Sequence, residues 1–130
     1  MDKPSPQKKY RLNRRLRLRR RPEISRAFEQ GARVVDNRIS LQGVRRETGQ
    51  PTRCGVAVSK RHGNAVKRNR LKRICREAFR LARPDLSDGW DLVILPRAGR
   101  EITVDGVGQS LRKLLPRLEH RLPRQEEPEQ

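Results

Sequence analysis

The 130-residue sequence predicts an α+β fold, with helices packed against one small sheet. Three observations carry that expectation. Trp90-Asp91-Leu92-Val93-Ile94-Leu95 is a nearly continuous apolar run of strand length, which suits a buried central strand. Cys54, Val56 and Val58 alternate with Gly55, Ala57 and Ser59, as in a strand with one bulky face and one bare face. Two longer stretches, around Leu71–Ala82 and Val107–Leu122, repeat apolar residues at helical spacing instead.

The elements follow in order. Met1 to about Arg21 is a basic arm with Asp2 its only acid, expected to be flexible. Within it Arg15-Leu16-Arg17-Leu18-Arg19 alternates charge with leucine, the pattern of a short extended edge that touches the domain through Leu16 and Leu18. Pro22 opens a short helix over Glu23 to Gln30, since proline suits a first helical turn. Ile24, Ala27 and Phe28 share one of its faces, and Gly31 is expected to end it as a C-cap. Arg33 to Arg45 reads as one strand, and Glu47 to Pro51 as a turn. Thr52 to Ser59 is the next strand. Its small face admits two readings, a tightly packed second layer or a groove for an extended ligand.

Asn64 is a good N-cap for the long helix, and Arg83-Pro84 ends it. Arg97-Ala98-Gly99-Arg100 is a loop. The last helix runs from about Val104 to Arg121. Gly106 and Gly108 weaken its start, and Pro116 is expected to kink or break it. The order is helix, strand, strand, helix, strand, helix, within a domain spanning 22–122. An acidic tail over 123–130 is expected to be disordered. The strands that flank the long helix are predicted parallel, and general rules make such a crossover right-handed.

Charge narrows the function classes. Lys and Arg number 33 against 15 Asp and Glu, a net charge of +18. Arg predominates, and its planar fork matches phosphate oxygens, which favours nucleic acid over a merely anionic surface. On the long helix the charge is organised. With about 100° of turn per residue, Arg68, Asn69, Lys72, Arg73, Arg76 and Arg80 share an arc roughly 140° wide, opposite Leu71, Ile74, Cys75, Ala78, Leu81 and Ala82. Arg70 lies at the margin of that arc, placed to meet a different partner or a cleft. A helix face so rich in one charge repels itself and calls for an anionic partner. The four aromatic residues, Tyr10, Phe28, Phe79 and Trp90, are too few for a large stacking platform, so phosphate contacts should dominate.

No catalytic set emerges. The acids are scattered, and none forms a metal-binding cluster or pairs with a nucleophile and base. Asp85, Asp88 and Asp91 come closest, but they sit in a turn with Pro84 and Gly89 nearby. Cys54 and Cys75 have no histidine at ligand spacing and read as structural thiols in a reducing compartment, with a disulfide as the alternative. No apolar run approaches the roughly 18 residues of a membrane span, and no membrane partner is expected. The arm is Arg-rich and acid-poor like a mitochondrial transit peptide, but reads better as a basic arm of a cytoplasmic protein. Composition alone fits a ribosomal or general RNA-chaperone protein.

The run Val58-Ser59-Lys60-Arg61-His62-Gly63-Asn64-Ala65-Val66-Lys67-Arg68-Asn69-Arg70-Leu71-Lys72-Arg73 is more specific. It resembles the hallmark of the bacterial ribonuclease P protein component, with Arg68-Asn69-Arg70 at its centre. The resemblance extends from about Arg17 through Leu122. It implies a small subunit of the ribonucleoprotein endonuclease that removes the 5′ leader from precursor tRNA. The chemistry then belongs to the RNA subunit and its bound Mg²⁺. The partners are ribonuclease P RNA, one protein per RNA, and precursor tRNA. The implied fold is an α-β sandwich with a left-handed crossover around the long helix, against the general rule.

Carried over by position, the resemblance implies that Lys60, Arg61, Lys67, Arg68, Asn69, Arg70, Lys72, Arg73, Arg76 and Arg80 bind RNA. It implies a leader cleft at Ile24, Phe28, Gly55, Ala57 and Ser59. The chain departs from the family pattern at Ile24, where many members have an aromatic residue. It departs again at Gln42-Gly43, where an aromatic often lines the cleft. Weaker stacking of leader bases is expected, with the Arg-rich arm adding phosphate contacts.

Overall fold

A computed structural model describes residues 13–123. The arm up to Leu12 and the tail from Arg124 lie outside the described residues. The elements are α1 (Arg21–Gln30), β1 (Ala32–Val35), β2 (Ile39–Arg45), β3 (Arg53–Val56), α2 (Ala65–Ala82), β4 (Trp90–Pro96) and α3 (Val104–Arg121). Short 3-10 turns occupy Arg14–Leu16, Lys60–His62 and Arg83–Asp85.

The expected single strand over Arg33–Arg45 is two strands. Asp36 divides it: its Oδ1 accepts from the backbone N–H of Arg38 at 2.8 Å and of Ile39 at 2.9 Å, closing a tight turn. The order is therefore helix, three strands, helix, strand, helix. The four strands form one mixed sheet in the order β1-β2-β4-β3, with β3 and β4 parallel and the other pairs antiparallel.

Period-two alternation sorts the strand residues between two faces. Leu41, Cys54, Trp90, Leu92 and Ile94 turn to one face, where α2 and α3 cover them and build the main core with Phe79, Leu111, Leu114 and Leu118. The other face carries a smaller cluster of Leu18, Ala27, Val44 and Val93, under α1.

Three local expectations change. Gly31 does end α1, but its φ of −94° is not the left-handed value of a glycine cap. A side chain there would run into the carbonyl oxygens of Ala27 and Gly43, so glycine serves close approach of helix to sheet. In α3, Pro116 causes no break. Proline costs that helix one backbone donor, and buried Leu111, Leu114, Leu115 and Leu118 hold it to the sheet on both sides of the site. In α2 the apolar stripe is turned. Phe79 is fully buried while Leu81 remains 49% exposed. The buried set, Cys75, Ala78, Phe79 and Ala82, is centred about 50° round the helix from the expected stripe. Burying the large ring outweighs burying one leucine.

The segment before α1 joins the sheet only from Arg17 onward; Arg14–Leu16 is a turn, so Leu16 and Leu18 reach different clusters rather than one alternating face. Arg17 bridges Cys54 in parallel, and the Leu18 N–H donates to the Cys54 carbonyl at 2.9 Å. Leu18 is buried and Leu16 packs half-buried on the main core.

Candidate nucleic-acid interface

The start of α2 is held by polar contacts that its sequence supplies. Asn64 caps the helix, accepting from the Lys67 N–H at 3.0 Å. Gly63, at φ 108°, adopts a backbone conformation that other residues rarely take. The turn Lys60–His62 is capped by Ser59 and tied to the sheet by His62. The His62 Nε2–H donates to the Pro96 carbonyl at 2.6 Å, so Nδ1 is the acceptor for the Ser59 N–H at 3.0 Å. Sequence reasoning left His62 without a role. It fixes the turn that presents Lys60 and Arg61, both exposed.

Because α2 is rotated, its polar residues divide into three groups. Asn69 and Arg73 are exposed on its outer surface. Arg80 lies there too, but its guanidinium is engaged by Glu77 on the same helix, at 3.1 Å from Nε. Arg68, Lys72 and Arg76 are half-buried on the shoulder toward β3. The Arg68 Nε is shielded from solvent and has no hydrogen-bond partner. Burial lowers the Arg76 pKa below its ordinary value, and the guanidiniums of Arg17 and then Arg19 lower it further. Arg17 and Arg19 thus belong to the same positive field, a role that only their alternation with leucine could have suggested.

Arg70 stands on the opposite shoulder with Lys67. It lines a cavity between α2 and the loop after β4, where Arg97 and Arg100 come from the other side. The sequence placed Arg70 at the edge of the strip. The structure separates it from the strip altogether.

The second face of the sheet holds the predicted groove residues. The strand registers place Val35, Ser40 and Leu95 in one row, and Ala57 continues it, its N–H donating to the Ile94 carbonyl at 2.9 Å. Val35 is exposed and the others are half-buried. The neighbouring row is Arg33, Gln42, Val93 and Gly55. There Gln42, Val93 and Gly55 are buried beneath α1 and Leu18. A side chain at Gly55 would meet the Leu18 carbonyl at 2.6 Å, so Gly55 serves close packing rather than an open wall. The bare face is divided, and only its Gly55 end is a tightly packed layer. Gly55 is packed, Ala57 is half-open and Ser59 is exposed. Ile24 packs against the small cluster, while Phe28 keeps 39% of its surface exposed. Gln42 acts as a polar strut: its amide donates to the Ala27 carbonyl at 2.9 Å and accepts from Arg33 Nε at 3.3 Å.

The far end of α1 is held by ions. Arg53 makes two 2.8 Å bonds to Asp91 and a third of 2.8 Å to Glu23 in the first turn of α1. The bond to Asp91 raises the Arg53 pKa despite burial. Asp91 therefore belongs to a structural network, not a catalytic one. Cys54 and Cys75 are free and buried. Burial pushes the Cys75 thiol up to about 12 and that of Cys54 well above its usual value, so neither is a ready nucleophile. Among the described residues no group of three or more His, Cys, Asp or Glu is arranged to hold a metal, and no helix is long and apolar enough to cross a membrane.

A basic helix beside a shallow groove, with no reactive group in either, agrees with what the chain is similar to. The family model for ribonuclease P matches residues 12–119. The ribonuclease P protein component of Oleidesulfovibrio alaskensis is 39% identical over 108 residues, covering 80% of this chain and 86% of that protein. That of Brevibacillus brevis is 36% identical over 107 residues, covering 82% and 85%. Among solved structures, the RNase P protein from Thermotoga maritima superposes with a TM-score of 0.69 at 29% identity, over 79% of this chain and 97% of that one. By its hallmark run, its fold and these relatives, the chain belongs to the bacterial ribonuclease P protein component family.

Proposed function

We propose that this chain is the protein subunit of ribonuclease P, assisting an RNA subunit that matures the 5′ end of tRNA. The single observation that carries the reading is the position of the Arg68-Asn69-Arg70 run. It lies on a helix that buries Cys75, Ala78, Phe79 and Ala82 in the core and whose remaining surface has one acid, Glu77, among its cations. Such a surface binds structured RNA through its phosphates. The RNA subunit supplies the Mg²⁺ and the chemistry. This chain's residues bind and orient.

Asn69 and Arg73, with Lys60, Arg61 and Lys72, face the RNA subunit. The row Val35-Ser40-Leu95-Ala57, flanked by α1 with Phe28 and reaching Ser59, takes the single-stranded leader. Arg76, with Arg17 and Arg19 near it, holds leader phosphates where the groove meets the helix. Family membership supports a left-handed crossover through β3, α2 and β4, one protein per RNA, and work in the cytoplasm, where two free buried thiols are at home.

The test is direct. The protein is mixed with ribonuclease P RNA and precursor tRNA at low Mg²⁺. A single cut at the mature 5′ end, faster than with RNA alone, is expected. Equal rates with and without the protein would defeat the proposal.

A further inference from the structure

The cavity beside Arg70 has a volume of about 340 Å³ and is open on one side. Its rim is cationic, with Arg61, Lys67, Arg70, Arg97 and Arg100, and no carboxylate lines it. Its inner wall is apolar: Leu71, Ile74 and Ile102 line it and are each half-buried. A simple phosphate contact needs no such wall. Asn69 and Arg73 already offer an open polar surface on the same helix, where charge alone is read. A concave site with guanidiniums around aliphatic side chains fits a ligand that is anionic at its edge and flat and weakly polar in its body. A nucleotide has that chemistry, and the volume falls in the range of small-ligand pockets.

The number of cations decides between a free and a chain-borne nucleotide. Five positive groups stand on two banks: Arg61 on the turn before α2 with Lys67 and Arg70 on α2, and Arg97 and Arg100 on the loop. One terminal phosphate would leave most of them unpaired. A nucleotide turned out of an RNA strand brings a phosphate on each side of its base, and so meets both banks. Sequence-specific RNA recognition commonly uses such splayed bases. We infer that this cavity receives one extruded nucleotide of the RNA subunit, with its base on Leu71, Ile74 and Ile102 and its flanking phosphates on the α2 and loop cations. This rests on the function proposed above and deepens it. The outer strip of α2 holds the RNA by charge, and the cavity sets the register in which it is held.

Ala98 gives the test, because it lines the cavity from an exposed loop position. Ala98→Trp fills the space and removes no charge. Affinity for the RNA subunit is measured across a range of salt. Ala98→Trp is expected to weaken binding at least about tenfold with the salt slope unchanged, whereas Arg100→Ala weakens it and lowers the slope by about one. Methyl NMR of the free protein provides a second readout. Millimolar 5′-AMP is expected to shift Leu71, Ile74 and Ile102, and inorganic phosphate to leave them in place.

Parent-like RNA affinity in Ala98→Trp would overturn the inference, even if 5′-AMP binds, because the site would then serve a free nucleotide. Equal methyl shifts with phosphate and 5′-AMP would overturn it too, by showing an anion site only. Either result leaves the subunit function standing as long as the parent protein accelerates leader removal. Loss of that acceleration in the parent would be the separate failure of the function.

Discussion

The two faces of the sheet are built from the same strands and do opposite work. Toward α2 and α3 the strands present Trp90, Leu92, Ile94 and Leu41, all fully buried. Toward α1 they present a buried row, Gln42, Val93 and Gly55, beside a row of Val35, Ser40 and Leu95 that keeps solvent contact, so cover is partial. The contrast shows how a small protein keeps a usable surface. Stability is concentrated on one side, so the other can stay shallow, small-residued and partly open.

The largest effect should come from the packed face. Trp90→Ala is expected to cost about 3–5 kcal/mol, because the ring is fully buried. Urea denaturation measures it. A cost near that of a surface change would mean that the main core is not where the stability resides. Arg53→Ala comes next, at about 3 kcal/mol, since it leaves Asp91 buried with only the longer 3.5 Å contact to Arg46. It also frees Glu23, so it should loosen α1 and weaken leader binding while RNA-subunit binding holds. If both bindings fell together, the network would not be specific to the groove.

Asp36, at the turn between β1 and β2, gives a pH test. Burial alone would raise its pKa. The Ser110 hydroxyl beside it, hydrogen bonds from the backbone N–H groups of Ile39 and Arg38, and the Lys113 ammonium 3.2 Å from its other oxygen outweigh burial and hold it at about 2, below the ordinary 3.8. A depressed folded-state pKa contributes stability above the unfolded value, and that stability is lost as pH falls from about 4 through 2. The contribution is about 2 kcal/mol. Asp36→Asn should therefore flatten the acid limb of the stability profile between those values, and an unchanged limb would reject this assignment.

Phe28→Ala should have the smallest effect on folding, below about 1 kcal/mol, because much of the ring already meets solvent. Its effect on leader affinity should be larger, about 1–2 kcal/mol, from lost base stacking. A variant that melts early yet binds leader normally would invert the comparison between the faces.

Much of this was legible in the residues, and the misses have physical causes. Caps are local, so Asn64 and the end of α2 near Arg83 could be placed from their neighbours. The division of β1 from β2 was hidden because Val35 and Ile39 look like one strand, while the turn depends on a single Asp36 oxygen reaching two N–H groups. Helical periodicity gave the width of the α2 stripe but not its centre, which depends on how Phe79 meets the sheet. That rotation is why Arg68 is half-buried and why Arg70 faces a loop almost thirty residues away in sequence. The small face of β3 was legible as small. That Leu18 would cover Gly55 and leave Ala57 half-open follows from a pairing distant in sequence, which no local pattern contains.

The bridge from Arg17 to Cys54 has a consequence for solubility. β3 is an outer strand of the sheet, and an outer strand offers unpaired N–H and C=O groups to any passing chain. Leu18 already occupies the Cys54 carbonyl, and Arg17 and Arg19 add charge along that border. A second copy approaching edge to edge meets a filled hydrogen-bond site and like charge together. The segment that helps complete the groove thus also discourages the free protein from joining sheet to sheet before its RNA arrives.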